Sequence, residues 1–140
     1  MSELDPLLRV RRHEIEQKQK ALAALYAKAE ELKTERDTLE AQFVIESEKT
    51  KDMDAEMMSF FQPYADRVQD EIEQIDVARE QLEHKIRFAQ DEMRDSFAEM
   101  KKIEIIDERR QAEILAEIDK KESALLDEIA LDAFRRKGEE

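Results

Sequence analysis

Cysteine and tryptophan are absent from this sequence of 140 residues, and glycine and proline are almost absent. Gly138 is the one glycine, and Pro6 and Pro63 are the only prolines. Without cysteine, the chain has no disulfide framework, no thiol nucleophile and no cysteine-based metal site. Sheets and tight loops need more turn residues than this chain supplies. These absences disfavour a compact domain built from strands.

Long apolar runs are missing as well. No stretch approaches the length of a membrane span, and no apolar region of a signal peptide follows the arginines that begin at Arg9. We therefore expect a cytoplasmic protein with no membrane span. The formal net charge of −13 disfavours nonspecific binding to nucleic acid, which depends on basic contacts to phosphate.

Residues suited to catalysis are scarce. His13 and His84 are the only histidines, and neither belongs to a paired Glu-x-x-His motif or to a His-x-x-x-His motif. A glycine-rich phosphate loop and a nucleophile elbow are also missing. We expect no catalytic residue, no metal site and no cofactor, and therefore a protein that is not an enzyme.

Apolar residues recur at alternating steps of three and four through most of the chain. This period is typical of helices with a narrow apolar seam that faces another helix. The expected a positions are Leu8, Ile15, Leu22, Ala29 and Phe43, and the expected d positions are Arg11, Lys18, Leu25, Leu32 and Leu39. The sequence predicts an all-α fold of the coiled-coil type.

Three residues indicate where the helices begin and break. Asp5 suits an N-cap and Pro6 suits the first helical position, so the first helix should start there. Pro63 removes a backbone donor and disfavours helix at the residue before it, which predicts a break.

The expected arrangement is a single hairpin domain over residues 1–140. Helix one covers about 6–61, the turn about 61–63, and helix two about 63–137, with a glycine as its C-cap. Two long helices with a short connection fold back antiparallel, and the second, longer helix overhangs. The residue numbers of two positions that face each other across the hairpin should then sum to about 124–126. One kinked helix that dimerises is the alternative.

The overhanging part of helix two carries apolar residues. Ile103, Ile114 and Leu125 are separated by steps of eleven, a spacing that straightens or reverses a supercoil. Unpaired apolar surface on a helix marks a partner site.

Other candidate surfaces have less support. In the expected hairpin, the basic residues at both ends meet at one pole: Arg9, Arg11 and Arg12 with Arg135, Arg136 and Lys137. One stripe of helix two lies off the seam and consists of Val77, His84 and Phe88. These residues are either a docking site or surface residues scattered without a function. A further group is expected to cap the end of the hairpin rather than to bind a ligand: Met57, Met58, Phe60 and Phe61.

Both ends of the chain resemble one known family. Residues 7–14, LLRVRRHE, and 17–19, QKQ, are similar to the start of FliJ, the flagellar type III export protein. Residues 108–111, ERRQ, and 125–134, LLDEIALDAF, are similar to the C-terminal signature of that family.

This resemblance implies an antiparallel coiled coil similar to the shaft of rotary ATPases, acting as a stalk in the export apparatus at the inner membrane. The implied partners are the export ATPase hexamer, the membrane export-gate protein and export chaperones. The positions implied to face the ATPase ring are Leu7, Leu8, Arg9, Arg11, Arg12, Leu131, Phe134 and Arg135. The surface implied to face the gate is Val77, His84 and Phe88.

Three alternatives stay open at this point. An injectisome stalk shares the same design. A prefoldin-like holdase is disfavoured, because residues 46–62 have little of the alternating β-branched character that its assembly strand needs. A generic coiled coil would form a stable dimer, whereas we expect the stalk to be a monomer on its own.

Overall fold

The computed structural model describes residues 3–139 and contains two α-helices joined by a short connection. Helix α1 spans Asp5–Lys49 and helix α2 spans Ala55–Glu139. A single 3₁₀ turn, Thr50–Asp52, lies between them and is followed by Met53 in an extended conformation. No strand occurs in residues 3–139. The expected all-α fold with a longer second helix is confirmed.

Two compact units can be distinguished within this pair of helices. The central unit is Glu14–Asp95, and the terminal unit combines the residues up to His13 with those from Ser96 onward. Each unit contains a stretch of both helices.

The helices of the central unit run antiparallel. Arg36 donates a hydrogen bond to Asp76, and Gln90 donates one to Tyr26, so a position nearer the N-terminus in α1 meets a position nearer the C-terminus in α2. The expected hairpin is therefore confirmed, and a single kinked helix is not what the chain forms.

The buried residues follow the seven-residue repeat along both helices. Every predicted a and d position of α1 is buried or half-buried. On α2 the steps of three and four continue without interruption through Phe61, Ala65, Val68, Ile72, Ile75, Arg79, Leu82, Ile86, Ala89, Met93, Ser96, Met100, Ile103 and Asp107. The predicted seam is thus the core of the coiled coil.

One cluster of the core lies in the central unit. Leu32, Ile75 and Leu82 form one buried cluster there. Partly buried side chains surround this cluster: Leu25, Ala29, Leu39, Ala78 and Ile86. The core is a line of aliphatic side chains between two helices, which suffices for pairing but leaves most of each helix in water.

The predicted turn at about 61–63 is wrong. Helix α1 ends at Lys49, and Pro63 lies inside α2. Asp54 explains why α2 begins so early, because its carboxylate accepts a hydrogen bond of 2.9 Å from the N–H of Met57 and so caps the helix. The connection over residues 50–54 therefore reverses the chain without help from the proline.

Aromatic contacts support the helix on both sides of Pro63. The ring of Phe61 stacks on Phe43 of α1 at 6.2 Å between centroids, and it meets Tyr64 at 5.7 Å. Pro63 is exposed, so its ring does not disturb the seam. Interhelical packing thus outweighs the one backbone hydrogen bond that a proline cannot make.

The earlier turn also shifts the register. The residue numbers of facing positions sum to 112 for Arg36 and Asp76 and to 116 for Tyr26 and Gln90. The sequence had predicted sums of about 124–126. At the other end, α2 continues through Gly138 to Glu139. No described glycine has a positive φ, so the predicted glycine C-cap is wrong as well.

Candidate docking surfaces

The described residues offer no arrangement for metal chemistry. No group of three His, Cys, Asp or Glu side chains in residues 3–139 could hold a metal ion. His13 and His84 are both exposed. No described helix is apolar over a sufficient length to cross a bilayer.

The largest unpaired surface is the end of α2. Asp107 is the last half-buried residue, and every side chain in residues 108–138 is exposed. We call these residues the exposed segment. Its large apolar side chains are Ile114, Leu115, Ile118, Leu125, Leu126, Ile129, Leu131 and Phe134. The unpaired apolar surface expected from the sequence is therefore present.

Six of these eight apolar side chains share one face of the helix, within about 120° of arc, and Leu131 and Phe134 lie outside that face. Because an α-helix turns about 100° per residue, Leu125 and Phe134 project from roughly opposite sides. Leu131 lies three residues before Phe134 and therefore only about 60° from it, while Ile114 and Leu125 lie on one line because they are eleven residues apart. Leu125 is 58% exposed and Phe134 is 75% exposed. The end of the exposed segment therefore carries apolar side chains on two opposite sides.

The basic residues of the two ends do not form the single pole that the sequence predicted. Arg9 and Arg12 are exposed at the start of α1, whose terminal stretch packs beside α2 before residue 108. Arg135 lies 28 residues beyond Asp107 on α2, which is about 40 Å further along a helix. The early turn is the cause, because it shortens α1 and leaves α2 to extend alone.

The predicted ATPase-facing residues at the N-terminus differ in exposure. Leu8 is only 5% exposed and therefore belongs to the core, so it offers a partner little surface, and its docking role stays a prediction. Arg11 is half-buried on the seam. Leu7, at 40% exposure, and the two exposed arginines Arg9 and Arg12 can still meet a partner.

The predicted stripe on α2 is brought together in the central unit. Val77 is 55% exposed, Phe88 is 65% exposed, and His84 is also exposed. At about 100° per residue, their steps of seven and eleven place the three within roughly 40° of arc. The stripe is thus a coherent surface, and its role as a docking site stays a prediction.

A groove that the sequence did not predict lies where the hairpin turns. It has a volume of about 380 Å³ and is lined by Gln42, Glu46, Met53, Met57, Phe60, Phe61 and Tyr64. We call it the hairpin-end groove. Of the residues expected to cap the hairpin, Phe61 stacks on α1, but Met57, Met58 and Phe60 are exposed by 55%, 38% and 77%. The capping prediction is therefore wrong for those three.

The signal for this groove was present in the sequence. Met57, Met58, Phe60 and Phe61 stand together, and a helix cannot turn four neighbouring side chains onto one seam. The sequence predicted a turn beside these four residues, and a turn could have folded all four over the end of the hairpin. Their exposure was therefore not predicted.

An ion pair crosses the seam in the central unit. The Arg36 guanidinium bonds to Asp76 at 2.7 Å and to Glu40 at 3.0 Å. The hydrogen bond and the charge of Asp76 raise the pKa of Arg36 above its ordinary value. This ion pair aligns the two helices rather than forming a reactive site.

A family model described as "Flagellar FliJ protein" matches residues 1–139, nearly the whole chain. Comparison with curated proteins and with solved structures gave no match. The matched family consists of structural proteins of the export apparatus and is not an enzyme family.

Proposed function

The chain belongs to the FliJ family of flagellar export proteins, and on that premise we propose that it is the coiled-coil stalk of the export ATPase. Its exposed segment enters the ring of the ATPase hexamer, and its central unit meets the membrane export-gate protein. It therefore acts on the cytoplasmic side of the inner membrane, where it also escorts export chaperones. Its contribution is contact and positioning, without catalysis of its own.

The distribution of apolar side chains on the exposed segment carries this proposal. Leu125 and Phe134 lie on opposite sides of the helix, and both are mostly in water. A single partner helix could cover only one of these sides. A helix with apolar side chains on two opposite sides is suited to being enclosed. A ring surrounds its axle in this way, so the pattern favours insertion into a ring.

The basic residues favour one orientation of the stalk relative to the ATPase ring. Arg135 lies at the tip of the exposed segment, while Arg9 and Arg12 lie at its base. On a chain with net charge −13, residues 135–137 make the tip of the exposed segment locally basic, whereas the segment as a whole is close to neutral. Attraction to carboxylates of the ring would speed association and select which end enters. Apolar contacts of Leu131 and Phe134 then supply buried anchors.

The stripe of Val77, His84 and Phe88 is the proposed contact with the export gate. Its members are exposed on one side of α2 and take no part in the seam. A surface away from the exposed segment would let the stalk contact the ATPase and the gate at the same time. The support for this assignment is exposure and alignment, together with the resemblance of the chain to its family.

The decisive experiment measures ATPase stimulation by variants of the exposed segment. We compare Leu125→Ser, Phe134→Ser and the double variant with the wild-type chain, using the purified export ATPase. If a ring encloses the segment, each single change weakens co-elution and stimulation, and the double change weakens them further. Val44→Ser with Ile45→Ser is the matched control, since both residues are more than half exposed in the central unit.

Two results would contradict the proposal. Undiminished stimulation by the double variant would mean that the exposed segment does not enter the ATPase. Loss from only one of the two single variants would mean that one face docks on a flat surface. Sedimentation of the wild-type chain alone is a separate check, because a stalk should be a monomer and a generic coiled coil a stable dimer.

A further inference from the structure

We propose that the hairpin-end groove is a docking site for an amphipathic helix of a partner protein that carries basic residues. The groove lies wholly within the central unit and is separate from the surfaces assigned above to the ATPase and the gate. This binding function goes beyond that of a stalk.

The first argument is the excess of apolar surface that folding leaves uncovered. Phe61 makes the aromatic contact to Phe43 and thereby closes this end of the seam. Phe60 adds nothing to that contact and is 77% exposed, while Met57 is 55% exposed. A cluster of exposed apolar side chains beside a groove marks an interaction site, unlike single exposed side chains.

The second argument is the shape of the groove. One wall is α1, with Gln42 and Glu46, and the other wall is the start of α2, from Met57 to Tyr64. That wall is about 10 Å long, or two helical turns. Two turns are what a partner helix presents with apolar anchors at positions i, i+3, i+4 and i+7. The flexible methionines Met53 and Met57 allow the groove to adapt to differently shaped anchors.

The third argument is charge. Glu46 lines the groove, and the neighbouring connection and the start of α2 add further exposed acids: Glu48, Asp52, Asp54 and Glu56. Three cations oppose these five acids: Lys49, Lys51 and Arg67. The Lys49 ammonium lies 3.4 Å from Glu46, and the Arg67 guanidinium lies 5.8 Å from the ring centroid of Tyr64, so the rim stays acidic on balance. The acidic rim favours a partner helix with lysine or arginine beside its apolar face, and it disfavours an acidic one.

The test uses the full chain and a defined probe. The probe is a synthetic amphipathic helix with leucine on one face and lysine on the other, labelled for fluorescence anisotropy. The groove variant is Met57→Ser with Phe60→Ser. The matched control is Val10→Ser with Phe97→Ser, because these apolar residues are also exposed, at 54% and 42%, but lie outside the groove.

We expect the groove variant to bind the probe about tenfold or more weakly than the wild-type chain, since two large apolar contacts are lost. The control variant should bind as the wild type does. Circular dichroism checks that both variants keep the helicity of the wild type. Equal affinity of the groove variant and the wild type would overturn the proposal, because attraction would then depend on overall charge alone.

A second probe tests the sign of the charge. It has the same leucine face, with glutamate in place of lysine. Binding of this acidic probe as tightly as the basic one would overturn the assignment of a basic partner. We also expect Glu46→Gln to weaken the basic probe and to leave the acidic probe unchanged or slightly tighter.

A second copy of the chain is the competing occupant, since the end of α2 is itself apolar and basic. Sedimentation over a range of concentrations measures this directly. Self-association that the groove variant abolishes would overturn the proposal of a different partner. A monomer at concentrations where the basic probe saturates the groove supports it.

Discussion

Arg36 and Asp76, forty residues apart, are joined across the two helices by a hydrogen bond of 2.7 Å from Nε to Oδ1. A second guanidinium nitrogen of Arg36 lies 3.5 Å from the other carboxylate oxygen. Because the folded chain raises the pKa of Arg36, the stabilisation is fully present below the ordinary arginine pKa and is lost only above it. Arg36 therefore stays charged, and the pair does not respond to pH through Arg36 in the physiological range.

The first prediction tests the register that this pair defines. Cysteines introduced as Arg36→Cys and Asp76→Cys should be joined within one chain by a short bismaleimide, because the native side chains meet. The chain has no other cysteine to interfere. Gel migration and mass spectrometry after proteolysis measure the link.

The matched control for this link is Arg36→Cys with Phe88→Cys. A turn at Pro63 would place these two positions opposite each other, but in the structure Phe88 lies about 18 Å further along α2 than Asp76. Efficient linking of this second pair within one chain would contradict the register described here.

The second prediction concerns the core. Ile75→Ala should lower the free energy of unfolding by about 2–3 kcal/mol, since it removes a buried side chain from the cluster with Leu32 and Leu82. Val77→Ala, on the exposed stripe, should change it by less than about 0.5 kcal/mol. Urea unfolding followed by circular dichroism gives both values, and equal losses would mean that both residues pack in the core.

The third prediction concerns the proline inside α2. Pro63→Ala should raise stability near the hairpin end by about 2 kcal/mol, since alanine supplies an N–H that can bond to the carbonyl of Ser59. Hydrogen exchange of the amides in residues 55–67 measures this local change. Faster exchange in the variant would show that the proline is needed to keep that end of the helix in place.

The fourth prediction concerns the exposed arginines. Arg9→Glu with Arg12→Glu should slow association with the export ATPase roughly tenfold at low salt, with a smaller effect at high salt. Arg11 is left unchanged because it lies on the seam. Stopped-flow association measures the rates. Arg67→Glu with Arg94→Glu is the control, and an equal loss from it would indicate an effect of net charge alone.

The fifth prediction concerns the stripe. Val77→Ser with Phe88→Ser should leave the melting temperature nearly unchanged, because both side chains are more than half exposed. The same variant should bind the cytoplasmic part of the export-gate protein more weakly by about tenfold. Calorimetric titration measures this, and unaltered affinity would remove the stripe from the gate contact.

The coiled-coil seam could be predicted from the sequence because its signal is repeated many times. Each seven-residue step from Leu8 to Leu22 indicates the same apolar seam, and few structures other than a coiled coil have a seven-residue period. An antiparallel hairpin then follows from two long helices with a short connection. Errors at single positions, such as Arg11 or Lys18 on the seam, do not disturb a pattern of this length.

The turn could not be placed in the same way, because it depends on two competing local signals. Pro63 breaks a helix in isolation, whereas Asp54 starts one nine residues earlier. The contact of Phe61 with Phe43 across the helices decides between them. Rules that consider only neighbouring residues in the sequence cannot predict this contact. The misplaced turn then caused the further errors, namely the register, the single basic pole and the cap at the hairpin end.

The exposed segment also has a consequence for the lifetime of the protein. Every side chain in residues 108–138 is exposed, so opening this helix costs little more than its intrinsic helix propensity. We expect proteases to cut there first in any copy that has no partner, and enclosure by a partner to protect the same residues. Degradation of unassembled copies would then match the abundance of the protein to the number of sites that can receive it.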